Sequence, residues 1–246
     1  MVHVVQFIGP IINKCGGALI SDRHVLIAAH CILVPSKTEF KLKSKILVHV
    51  GADNLDECGK NISVTKLIIH PEYDSELYND DIAILKLKRP LKFARNRMPI
   101  CLPTKDRTKF EDLIVAGWGW IDSSGKRSRH LLTTDIKETD FDYCNKQWNN
   151  TLTDKQFCAA DYGKDACEGD SGGPVMYAEN GRDYAVGVVS FGDICGENQI
   201  TVHTRVAPYL DFIHQATADG KTCKNKRIRK PLNIKTNRKI KRRSRS

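Results

Sequence analysis

Short, mostly apolar segments recur along most of this chain, separated by clusters of turn-forming residues. In the first half they are Val25-Leu26-Ile27, Ile46-Leu47-Val48-His49-Val50, Val64-Thr65-Lys66-Leu67-Ile68-Ile69 and Ile82-Ala83-Ile84-Leu85-Lys86-Leu87. In the second half they are Leu113-Ile114-Val115-Ala116, Pro174-Val175-Met176-Tyr177 and Ala185-Val186-Gly187-Val188-Val189-Ser190. Their length and β-branched content predict strands, and their spacing predicts an all-β barrel or sandwich. One segment breaks the pattern. Pro208 to Ala216 places Tyr209, Leu210, Phe212, Ile213 and Ala216 at helical spacing, which predicts a closing helix. No internal repeat is visible.

Composition narrows this picture. The 246 residues suffice for one full core or two small ones. No run of eighteen apolar residues exists, so no membrane span is expected. Met1 to Phe7 lacks the basic start, long apolar run and small-residue cleavage site of a signal peptide. The net charge of +10 is concentrated at one end: residues 221–246 hold thirteen Lys and Arg and no acid, whereas residues 1–220 carry −3. That shift marks a boundary between a body, 1–220, and a polybasic tail, 221–246, too poor in apolar residues to fold alone. A nucleic-acid partner is not expected, because no aromatic residues interleave the charges. Sulfated glycans are the expected partner of the tail. Nine cysteines suggest disulfides and an oxidising compartment, and the lack of any Cys-x-x-Cys pair argues against zinc.

Three segments carry candidate chemistry. Gly169-Asp170-Ser171-Gly172-Gly173-Pro174 has the glycines for a tight turn that presents the Ser171 hydroxyl. The amides of Gly169 and Ser171 can converge there, giving a nucleophile beside a site for an oxyanion. Ala28-Ala29-His30-Cys31 offers a base, and Asn79-Asp80-Asp81-Ile82-Ala83 an acid ahead of an apolar strand.

At these residues the chain resembles the trypsin/chymotrypsin family of serine peptidases, whose order is also His, Asp, Ser. The resemblance runs from about Val2 to about Thr217. It takes in Cys15-Gly16-Gly17-Ala18-Leu19-Ile20, Ile100-Cys101-Leu102-Pro103, Ala116-Gly117-Trp118-Gly119 and Ser190-Phe191-Gly192. It implies two six-stranded antiparallel β-barrels packed together (1–100 and 101–207) and a C-terminal helix (208–220). It implies a secreted endopeptidase that uses His30, Asp81 and Ser171, with peptide substrates and protease inhibitors as partners and no cofactor. Asp81 is preferred to Asp80 because the family's acid directly precedes Ile-Ala; Asp80 then reads as a solvated loop charge.

Further roles follow from the same resemblance. Asp165 would sit at the base of the primary specificity pocket and select Lys or Arg. Ser190 would donate towards Asp81, Phe191 would floor the neighbouring subsite, and Gly192 would leave the pocket mouth open. Asp170 would receive the amino terminus freed on activation. Disulfides are implied for Cys15–Cys31, Cys144–Cys158 and Cys167–Cys195, with Cys58, Cys101 and Cys223 left over. In multidomain members the cysteine matching Cys101 often bonds one upstream, and that partner would be missing here. Asn61-Ile62-Ser63 and Asn149-Asn150-Thr151 are sequons that a secreted protein can have glycosylated.

The chain departs from the family at three places. Thr201 stands where glycine is usual and would shorten the pocket. Gly51-Ala52 opens a loop without the family's calcium-binding acids, so no metal is expected. No Ile-Val-Gly-Gly-type start is present and only fourteen residues precede Cys15, so the chain as written is expected to be zymogen-like. A protease-like binding protein without turnover is the competing reading.

Overall fold

A computed structural model describes residues 1–32, 45–57, 59–105, 107, 109–121, 124–161, 166–192 and 200–223. Twelve strands among them form two closed six-stranded barrels, as the resemblance implies. The first is built from β1 (Val2–Ile8), β2 (Ile11–Leu19), β3 (His24–Ile27), β4 (Lys45–Val50), β5 (Lys60–Ile69) and β6 (Ala83–Leu87), in the order β1-β2-β3-β6-β5-β4. The second is built from β7 (Leu113–Gly117), β8 (Leu132–Glu138), β9 (Gln156–Ala160), β10 (Pro174–Glu179), β11 (Arg182–Phe191) and β12 (Thr201–Arg205), in the order β10-β11-β12-β9-β8-β7. All strand pairs within the barrels are antiparallel. Two short helices complete the fold, α1 (Phe141–Gln147), capped by the Asp140 side chain, and α2 (Leu210–Ala216).

The strands form because their apolar side chains have an interior to fill. On β3 all four residues are buried, and on β6 only Lys86 is not. Val25, Leu26, Ile27, Ile84 and Leu85 therefore make the centre of the first barrel. Fully burying a side chain of this size contributes about 1.5–3 kcal/mol. Val188 of the second barrel and Tyr209, Leu210 and Ile213 of the C-terminal helix join the same cluster. The two barrels are thereby packed against one another. A separate cluster of Leu113, Val115, Ile136, Phe157, Val175, Val186 and Val189 fills the second barrel.

Disulfides tie loops to this framework. Cys15–Cys31 and Cys144–Cys158 pair as the resemblance implies. Cys167 is also disulfide-bonded; Cys195, its implied partner, and Cys58 lie outside the described residues. Cys101 corrects the expectation of a missing partner, because it pairs with Cys223. The chain after α2 turns back over the first barrel. There Lys221 exchanges hydrogen bonds with Asp22, which brings Cys223 to Cys101.

Candidate active site

His30 lies in a single 3-10 turn, Ala29–Cys31, that follows β3. Cys31 is held to β2 by Cys15, with a Cα separation of 6.1 Å. The turn brings the imidazole to Asp81, two residues before the start of β6 at Ala83. Asp81 Oδ1 accepts from the His30 amide at 2.9 Å and Oδ2 faces His30 Nδ1 at 2.7 Å. A carboxylate only accepts, so the proton of this bond is on Nδ1 and the Nε2 lone pair is left free. Asp81 is fully buried. The second barrel adds to these bonds from the first: Ser190 Oγ donates a second bond to Oδ2 at 2.5 Å, and Thr204 Oγ1 donates to the Asp81 backbone carbonyl at 3.1 Å. The Ser190 bond is the one the resemblance implied.

Ser171 faces the same cleft as His30, a cavity of about 800 Å³ between the barrels. Its turn is fixed to the first barrel, where Gly16 N donates to Ser171 O at 2.8 Å. The turn needs glycine. Gly169 and Gly172 have φ of 98° and 76°, and a Cβ on Gly172 would stand 2.7 Å from Ile27 Cγ1. Neither the Ser171 hydroxyl nor the amides of Gly169 and Ser171 take part in a hydrogen bond among the described residues. The hydroxyl and the two amides, unbonded among the described residues, thus belong to residues that line the cleft.

Asp170 does not line that cleft. Its carboxylate accepts from Gly119 N at 2.7 Å and Cys167 N at 3.0 Å. Burial raises its pKa above the usual carboxylate value, against the pull of those two amides and of Arg127. A cavity of about 220 Å³, lined by Val115, Gly117, Trp120, Leu132 and Thr134, opens beside it. Gly117 and Gly119 are required here, since a Cβ on either would collide with the carboxylate.

Ser190, Phe191, Gly192 and Thr201, expected at the substrate pocket, all line the cleft. Thr201 lies beside Gly192, next to the Phe191–Val202 pair of the β11–β12 ladder, and its Oγ1 is 3.2 Å from where a Cβ on Gly192 would stand. Phe191 is part of an aromatic cluster, 5.3 Å from Tyr78 and 5.0 Å from Trp148, and Tyr78 meets His30 edge-on at 5.6 Å. Asp165 lies outside the described residues. Tyr78, Trp120 and Lys14 also line the cleft. Sequence reasoning missed them, for Tyr78 and Trp120 lie outside the strands, Lys14 is an ordinary residue of β2, and none belongs to a motif.

Asp80 is not the solvated charge expected from sequence. It is 9% exposed, and its Oδ1 accepts from Lys155 Nζ at 2.7 Å and Tyr209 OH at 2.9 Å. That bond raises the Lys155 pKa. His70 and Glu72 cluster with Asp80 closely enough to ligate an ion. Lys155, however, already supplies a cation to both carboxylates, lying 3.5 Å from Glu72.

A family model described as Trypsin matches residues 3–213. The chain belongs to the trypsin family of serine proteases. Phenoloxidase-activating factor 3 of Holotrichia diomphalia is 38% identical over 82% of the chain and 63% of its own length. A venom serine protease of Polistes dominula is 32% identical over 85% of the chain and 78% of its own length. The β subunit of clotting factor G from Tachypleus tridentatus is 32% identical, over 82% of the chain and 71% of its own length. The chain thus spans under two thirds of the Holotrichia diomphalia relative and somewhat more of the other two.

Proposed function

We propose that this trypsin-family protein is a secreted endopeptidase that cleaves peptide bonds after Lys or Arg. The observation that carries the reading is the His30–Asp81–Ser190 chain of hydrogen bonds in the cleft that also holds Ser171. In this reading Ser171 attacks the scissile carbonyl and His30 Nε2 takes its proton, later returning it to the leaving amine. Asp81 holds the tautomer and stabilises the imidazolium. The Gly169 and Ser171 amides receive the oxyanion. Asp165 selects a basic side chain, and Asp170 with its adjoining cavity receives the amino group that orders the oxyanion site. Relatives named as an activating factor and a clotting factor subunit favour protein substrates. The polybasic stretch from Lys221 would anchor the enzyme to sulfated glycans. Three intact disulfides favour secretion.

Thr201, a β-branched side chain lining the cleft where the resemblance has glycine, supports a second reading, a protease-like protein that binds without cleaving. A fluorogenic peptide panel varying the residue before the cut separates the two, using the full-length activated protein and its Ser171→Ala variant. Cleavage after Lys or Arg, lost in the variant, is expected. Turnover that survives Ser171→Ala, or best cleavage after small apolar residues, refutes the proposal.

A further inference from the structure

Cations are spread unevenly over the body of this protein. Residues 1–220 carry a net −3, yet between Ile82 and Lys105 there are seven Lys and Arg and no acid. The run leaves β6 and crosses the outside of the first barrel. Leu87 N donates to Arg23 O, Lys88 N to Ser63 O and Leu91 N to Asp22 O, at 2.8, 2.8 and 2.6 Å. Leu87 and Leu91 are buried, which turns Lys88, Arg89, Lys92 and Arg95 to solvent. None of these four forms an ion pair among the described residues, whereas Arg23 and Lys86 beside them are both neutralised by Asp219. Lys66, also exposed, stands opposite Lys86 across the β5–β6 ladder.

A second observation adds to this one. Asp22, whose carbonyl holds Leu91, also grips Lys221: Asp22 Oδ1 accepts from Lys221 N at 2.9 Å, and Asp22 N donates to Lys221 O at 3.0 Å. The Cys101–Cys223 disulfide closes two residues later. The root of the sequence that carries thirteen Lys and Arg is thus fastened beside the basic run. No residue of this face lines the catalytic cleft.

We propose that the exposed face formed by Lys88, Arg89, Lys92 and Arg95 is a binding surface for sulfated polysaccharide, continuous with Lys221. The proposal concerns the folded body and goes beyond the role given above to the tail. Unpaired cations on an otherwise acidic body fit a polyanion. The choice of ligand rests on the secretion proposed above, which the disulfides favour: outside the cell the polyanions are sulfated glycans rather than the anionic inner leaflet or intracellular nucleic acid. Phe93, the only aromatic side chain in the run, is half-buried, so the face offers no platform for stacking bases. Such binding is driven by counterion release and weakens steeply with salt. It leaves the cleft open, so the enzyme can be held on a matrix and still turn over substrate.

The test measures binding of the full chain to heparin as a function of sodium chloride. The comparison variant carries Lys88→Gln, Arg89→Gln, Lys92→Gln and Arg95→Gln, and both are repeated with residues 224–246 removed. The four substitutions are expected to lower the slope of log K against log salt by about 3, with or without the tail. The shortened form is expected to retain salt-sensitive heparin binding that the four substitutions abolish. Equal slopes for the shortened form and its substituted variant overturn the proposal, even if the tail proves to bind heparin. Binding of single-stranded polyadenylate or phosphatidylserine vesicles as tight as that of heparin overturns the choice of ligand.

Discussion

Replacing Lys155 by methionine tests a charge that lies one residue from the proposed catalytic acid. In the native protein Asp80 Oδ1 takes Lys155 Nζ at 2.7 Å and Tyr209 OH at 2.9 Å. The Asp80 side chain is 11% exposed and its backbone has φ 52°, so the carboxylate is held in place. Without the ammonium, a second unneutralised anion stands beside Asp81. An added negative charge favours the imidazolium form of His30. Adjacent residues place the Asp80 carboxylate on the order of 9 Å from the imidazole. With an effective dielectric constant between about 20 and 80, the interaction is roughly 0.5–1.8 kcal/mol. Lys155 is 37% exposed, so solvent screens the site and the lower half of that range applies. The acid limb of the kcat/KM profile should therefore move upward by about 0.5 pH unit. The assay is hydrolysis of a Lys or Arg peptide from about pH 5 to about pH 9 at low ionic strength. Adding Asp80→Asn to Lys155→Met removes the extra charge and should return the limb to its native position. An unmoved limb in the single variant, or an equal shift in the double variant, refutes the electrostatic argument.

Thr201→Gly should widen the pocket and raise kcat/KM for Arg substrates by about 10–200-fold, the range for groups of this size in a pocket; an unchanged peptide panel would show that Thr201 does not limit entry. His203 is wholly buried with neither ring nitrogen bonded among the described residues, and burial lowers its pKa to about 3. The unfolded chain therefore binds the extra proton between about pH 3 and about pH 6.5, so this group makes stability rise with pH across that window and costs about 2 kcal/mol at pH 5. His203→Phe should shrink the fall in urea-melt stability between neutral pH and pH 5 by about that amount; an identical fall in both proteins refutes it. Removing the Cys101–Cys223 bond with a pair of serines releases a link across 122 residues, and the chain-entropy account gives a loss of up to about 5 kcal/mol in the same melts. A change below about 1 kcal/mol would mean that the link constrains little in the unfolded chain.

The elements legible in the sequence are those whose burial is nearly complete. β3 and β6 read as strands because almost every side chain on them is apolar and inside. β8 did not, since of Leu132-Thr133-Thr134-Asp135-Ile136-Lys137-Glu138 only Ile136 is buried. β12 did not either, because four of the five residues in Thr201-Val202-His203-Thr204-Arg205 are buried and three of those four are polar. Their ladders are set by neighbouring strands in a closed barrel, and one segment's hydrophobicity carries no record of that.

The candidate site divides in the same way. The sequence by itself determined the all-β class and the three segments around His30, Asp81 and Ser171, because the glycine turn and the apolar runs are local properties of the chain. It also determined the uneven charge, which is a matter of counting. Only the tertiary structure decided that Asp80 is buried against Lys155 and Tyr209, which are 75 and 129 residues away. It alone paired Cys101 with Cys223, set Thr201 against Gly192, and gathered Tyr78, Phe191 and Trp148 into one cluster. The physical reason is the same throughout: whether a charge is solvated, a thiol paired or a ring stacked depends on which distant residues the closing barrels bring within a few ångströms.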